Sequence, residues 1–175
     1  MSLSRKQMLI VITAITITAG VWILIGNYTA ETVHSEVKVG AAIGQKAPDF
    51  TLNNMEGEEV TLSNYRGTKV FLNFWASWCP PCKEEMPAIQ KLQNNYDDIK
   101  VITVNSGEKK DKVSNYLTEK NYTFTTLLDK DGTITTDYLV RGIPTTFIID
   151  EDGIIIRKQS GAITYGKMQE MINQK

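Results

Sequence analysis

Two cysteines and one histidine are all that the 175 residues offer of the softer metal ligands, and that scarcity removes several chemistries at once. A zinc site needs about four ligands, and Cys79, Cys82 and the distant His34 do not supply them. A bridge between Cys79 and Cys82 would close too short a loop to constrain the unfolded chain much, because that kind of stabilisation grows with loop length. Charge of neither sign dominates: 19 basic residues face 20 acidic ones and no basic block occurs. Nucleic acid is therefore not an expected partner. Asp129-Lys-Asp-Gly132 and Asp150-Glu-Asp-Gly153 lack the other ligands and the closing glutamate of a calcium loop, so they read as turns. No metal and no dissociable cofactor is expected.

What is present is concentrated in Phe71-Leu-Asn-Phe-Trp-Ala-Ser-Trp-Cys-Pro-Pro-Cys-Lys-Glu-Glu-Met-Pro87, which contains both cysteines. An almost continuous apolar run, Val70–Trp75, reads as a strand buried on both faces. The residues that follow carry Met86, Ile89, Leu92 and Tyr96 at helical spacing, so a helix opens near Cys79 and lays one face on the sheet. A Cys-x-x-Cys at a helix N-terminus suits redox work. The unpaired N–H groups and the helix dipole favour a thiolate there, so Cys79 is expected to be exposed and ionisable, and a two-residue gap brings the second sulfur within reach. Pro80 and Pro81 have no N–H to offer that thiolate, and no histidine lies nearby. The pair should therefore be comparatively reducing.

Phe74-Trp-Ala-Ser-Trp-Cys-Pro-Pro-Cys-Lys83 resembles the active-site segment of the thioredoxin superfamily, and the longer stretch to Pro87 is most similar to its ResA/TlpA group of membrane-anchored thiol–disulfide oxidoreductases. The likeness runs from about Gly44 to the C-terminus. It implies an α/β thioredoxin fold, a central mixed β-sheet flanked by helices, with an N-terminal β-hairpin extension from Phe50–Leu52 and Glu59–Leu62. Ala47-Pro-Asp-Phe-Thr-Leu52 also resembles the opening of peroxiredoxins. A peroxidatic cysteine needs Thr or Ser three residues before it and Pro further back, whereas Ala76 and Leu72 stand there. The peroxidase reading loses on those two positions.

The resemblance implies catalytic roles for Cys79 and Cys82. Where thioredoxins carry a buried, titrating Asp, this chain has Asn73, so proton transfer needs another group. Glu85, three residues past Cys82 on the same helix face, matches a glutamate that assists the dithiol in the ResA group. Trp78, Pro81, Ile143 and Pro144 are the expected substrate-binding residues, with Gly142-Ile-Pro-Thr145 resembling the superfamily's cis-Pro loop. Downstream, strands over Ile99–Val104, Thr125–Leu128, Thr145–Ile149 and Ile154–Lys158 alternate with helices over Lys109–Lys120 and Thr164–Asn173.

Ahead of the domain, Arg5 and Lys6 precede Met8–Gly26, which carries no charge and approaches the ~20 residues a membrane-crossing helix needs. No basic residue follows until Lys38, an asymmetry that places the N-terminus in the cytoplasm and the domain outside. The expected organisation is a cytoplasmic N-terminus over 1–7, a signal anchor over 8–26, a polar tether over 27–42 with His34 solvated in it, and the folded domain over 43–175. The resemblance implies reduction of disulfides in exported proteins such as apocytochrome c, recharging by a membrane electron-donor protein and a place in the bacterial cell membrane. Reduction of spore-envelope or other exported proteins, and a redox-inert tethering module, are the alternatives.

Overall fold

The structure is a computed structural model and describes residues 5–6, 16–22 and 37–173. Up to Glu36, residues 16–22 are helical. The expected anchor over 8–26 and the tether with His34 lie largely outside the described residues, and among those described no helix is long and apolar enough to cross a membrane.

The unit from Val37 onward opens with an antiparallel pair, β1 (Thr51–Asn53) and β2 (Glu59–Thr61). Asn54 shapes the turn between them. Its Oδ1 accepts from the N–H groups of Glu56 and Glu58 at 3.0 and 2.8 Å, and its Nδ2 donates to Glu58. Asn side chains mimic a backbone turn in this way. Asn54→Ala strips two backbone donors of their partner and should lower stability by about 1 kcal/mol. The reading is a lower urea midpoint at unchanged slope.

The central sheet combines β3 (Lys69–Trp75), β4 (Ile99–Ser106), β5 (Thr125–Asp129), β6 (Thr145–Ile149) and β7 (Ile155–Ser160) in the order β5-β4-β3-β6-β7. The pairs β3/β4 and β4/β5 are parallel and need crossovers, which α1 (Pro80–Asn95) and α2 (Lys110–Lys120) provide. The pairs β3/β6 and β6/β7 are antiparallel, joined at Asp150–Gly153 by the expected turn. This is the mixed, helix-flanked sheet anticipated above.

Strand β3 is central and buried throughout its apolar part, so its side chains alternate between two cores. Phe71 and Trp75 face Met86, Ile89 and Leu92 of α1 together with Met168 and Ile172 of the closing helix (Tyr165–Asn173). Val70, Leu72 and Phe74 face Phe50, Leu62, Tyr138 and Phe147 on the other side. Tyr138 sits among the rings of Phe50, Phe74 and Phe147 and donates its hydroxyl to the Pro48 carbonyl at 2.7 Å. Asn73, on the same face as Phe71 and Trp75, is thereby aimed at α1.

Two elements were not anticipated, the first a 3-10 turn over Leu62–Tyr65 that follows β2. After Gly132 the chain makes a short helix, Thr133–Asp137. Its threonines are weak helix formers, and it forms because Asp129 accepts from the N–H groups of Ile134 and Thr135 and from the Thr135 hydroxyl. The chain on either side of β1 also meets both edges of the sheet. Gly44–Ala47 exchanges backbone hydrogen bonds with Gly153 and Ile155 beside β7, and Asn54 bridges Leu127 of β5.

Candidate active site

Helix α1 starts one residue past Cys79, which is its N-cap. Proline at the first helical position fits without loss, since its missing N–H would be unpaired there. With Pro80 and Pro81 both lacking an N–H, the first available donor is Cys82 N, 3.3 Å from Cys79 Sγ. The two sulfurs are joined as a disulfide with the Cα atoms 5.3 Å apart. Opposite them, the Ile143–Pro144 peptide is cis, and the Ile143 carbonyl oxygen lies 3.6 Å from Cys79 Sγ. The Cys-x-x-Cys turn and the loop before β6 thus meet, although 64 residues separate them.

An openly exposed Cys79 is the sequence-based expectation, and it needs correction for the oxidised state: the residue is only 3% exposed. Its sulfur is bonded to that of Cys82, which is fully buried, and the Ile143 carbonyl lies against it. The surface around it is open. Trp78 is 59% exposed, Pro80 and Pro81 are exposed, Ile143 is half-buried and Pro144 is buried. Trp75 belongs to the core, where its ring meets that of Tyr116 at a tilt of 44°.

Glu85 lies on the inward face of α1 and is 2% exposed. Its Oε1 accepts from Asn73 Nδ2 at 2.8 Å, and its Oε2 accepts from the Ile163 N–H at 3.0 Å. Burial pushes its carboxyl up to about 7 against the opposing pull of those two donors. Asn73 also donates to the Thr146 hydroxyl at 3.0 Å, while its Oδ1 is buried without a partner. A non-titrating residue in β3 and a titrating one in α1 are therefore side by side within the sheet–helix layer.

Sequence reasoning missed Glu108. Its Oε2 accepts from the Ser77 N–H at 2.6 Å and from Asn105 Nδ2 at 2.9 Å. Its Oε1 accepts from the Ser77 hydroxyl at 2.7 Å and pairs with Lys112 at 2.9 Å. A signal was available: Glu108 follows the C-terminal end of a parallel strand, where α/β sheets place their sites, and Asn105 is in register with Trp75. Among the described residues no group of three or more His, Cys, Asp or Glu could hold a metal ion.

This geometry has counterparts. A model of the family described as AhpC/TSA matches residues 43–158. A thioredoxin-like protein of Bacillus subtilis, YneN, is 42% identical over 86% of this chain and 92% of its own length. A thiol–disulfide oxidoreductase of Geobacillus kaustophilus, ResA, is 36% identical over 93% of this chain and 92% of its own. The crystal structure of a putative thiol:disulfide interchange protein DsbE from Chlorobium tepidum superposes with a TM-score of 0.72 at 33% identity, covering 76% of this chain and 96% of that one.

Proposed function

We infer the direction and setting of the chemistry from one premise: the chain belongs to the AhpC/TSA family, on a thioredoxin-like fold, and is a thiol–disulfide oxidoreductase. We propose that it runs as a reductase of disulfides in exported proteins. Cys79, as thiolate, attacks one sulfur of the partner's disulfide and releases the other as a thiolate. Cys82 then attacks Cys79 Sγ, breaks the mixed disulfide and frees the second partner thiolate. Two electrons pass to the partner, and Cys79–Cys82 is left oxidised. Glu85 exchanges the proton that the dithiol gives up, and Trp78, Pro81 and the Ile143–Pro144 backbone receive the partner's chain.

The observation that carries the reducing direction is the sparse set of donors at Cys79 Sγ. Strong oxidants stabilise their reduced form, whereas here two prolines leave Cys82 N as the first helical N–H to reach the sulfur. The potential should fall nearer ~−270 mV than the ~−120 mV of a strong oxidant. Equilibration of the protein with glutathione measures it, and a value above about −180 mV contradicts the assignment.

The domain works outside the cytoplasm, held by the uncharged stretch 8–26 as a signal anchor. The basic pair Arg5 and Lys6 before it and the absence of Lys or Arg until Lys38 support that orientation. A membrane electron-donor protein recharges the pair. Apocytochrome c before haem attachment is the substrate we favour, on the likeness to ResA over nearly the whole chain.

A further inference from the structure

We propose that Glu108 is a positioning residue for the dithiol: by gripping Ser77 through both its N–H and its hydroxyl, it fixes the turn Ala76–Cys79 in the geometry that lets Cys82 close on Cys79. The proposal rests on Cys79 and Cys82 being the reacting pair.

The turn is closed by one backbone hydrogen bond of its own, Cys79 N–H to the Ala76 carbonyl at 3.2 Å. Ser77 sits inside it, 7% exposed, and its N–H would be buried and unpaired without an external acceptor. That acceptor comes from the neighbouring strand. Gly107, at φ 75°, turns the chain at the end of β4 so that Glu108 reaches back beneath the turn. The Glu108 side chain is 3% exposed and takes bonds from Ser77, Asn105 and Lys112. Burial alone would push its carboxyl up, but the donors of Asn105, Lys112 and Ser77 outweigh it and hold the group down at about 2. The grip is therefore charge-assisted, and such hydrogen bonds are the strong ones. Trp78, next in the turn, has no such restraint and stands out into solvent.

A held turn keeps Cys79 Sγ close to Cys82 in the dithiol as well as in the disulfide. Closing the bond then costs little orientational freedom, and the effective concentration of one sulfur at the other is high. Lys112 is 58% exposed, and its ion pair contributes little to this.

The test is the equilibrium constant for oxidation of the pair by glutathione in the full chain. Glu108→Ala should lower it roughly tenfold, which makes the couple ~30 mV less reducing. Glu108→Gln, whose amide can still accept from the Ser77 N–H and donate to its hydroxyl oxygen, should restore the constant to within about threefold. Lys112→Gln should leave it within about twofold of the wild type. Ser77→Ala loses only the hydroxyl half of the grip and should cost about threefold; it decides the matter should Glu108→Ala not fold. An unchanged constant in the alanine variants overturns the proposal, and so does a Gln variant as impaired as Ala. A wild type that fails to exchange with glutathione at all sinks the underlying redox reading instead, and the two failures are distinguishable.

Discussion

Cys79→Ser abolishes disulfide reduction, and Cys82→Ser freezes the protein as a covalent adduct of its partner. The first variant removes the nucleophile; the chain has no other cysteine to replace it except Cys82, which is fully buried behind the α1 turn. Turnover with insulin should fall by at least ~10³-fold, since a serine hydroxyl is not activated by anything placed near this turn. The second variant can still attack but has no sulfur with which to resolve the mixed disulfide. Its signature is a partner-sized mass increase that reductant reverses, absent from Cys79→Ser. Retained turnover in Cys79→Ser, or an adduct formed equally well by both variants, defeats the assigned order of attack.

The second large effect is one of pH. Glu85 has a carboxyl at about 7 in the folded protein against an ordinary value of 4.5. A raised value means that the folded state holds its proton after the unfolded chain has lost it. The stability this contributes is complete below pH 4.5 and disappears as pH rises through 7. A difference of this size corresponds to about 3 kcal/mol. Glu85→Gln never ionises, so the stability of the wild type minus that of the variant should decline by that amount between these limits and level off above them. Urea unfolding at a series of pH values gives the curve. On the role proposed for Glu85, the rate of disulfide reduction should bend near pH 7 in the wild type, and the bend should vanish in the variant. A flat stability difference with an unchanged rate profile would remove Glu85 from the chemistry.

Asn73 explains how one site accommodates both forms of that acid. Its amide donates to the carboxylate as it stands. Turned over, it offers the currently unpartnered Oδ1 to the O–H of the protonated form.

What could be read from the sequence follows from where its information is local. Val70–Trp75 and the Met86, Ile89, Leu92 stripe each declare their element by period alone, and with strands and helices alternating behind them the sheet follows. Cys79 and Cys82 are legible because their spacing is the chemistry. The neighbourhood of Glu85 and Asn73 was suggested by a resemblance, and only the packing of α1 over β3 brings their side chains to 2.8 Å. For Glu108 the sequence offered only its place after the end of a parallel strand; its partner Ser77 is 31 residues away, and no periodicity records a hydrogen bond across two strands. The helix Thr133–Asp137 was hidden for a related reason: its own residues disfavour it, and Asp129, outside it, makes it possible. The burial of Cys79 depends on Ile143 and Pro144 lying over it, again a matter of tertiary contact.

The segment Gly44–Asn54, which touches the sheet beside β7 and again at β5, bears on how the proposed partner proteins would meet the domain. Outer strands with unpaired backbone are templates onto which a half-folded polypeptide can stack. Here the peptide groups beside one outer strand are engaged at Gly153 and Ile155, and the other meets Asn54 at Leu127, while Arg157 and Lys158 place charge along the stretch of β7 that follows. For the proposed reaction this means that a partner held by its sulfur at the far end of β3 meets outer strands that are engaged at Ile155 and Leu127 and charged at Arg157 and Lys158, an arrangement that disfavours its stacking onto the sheet.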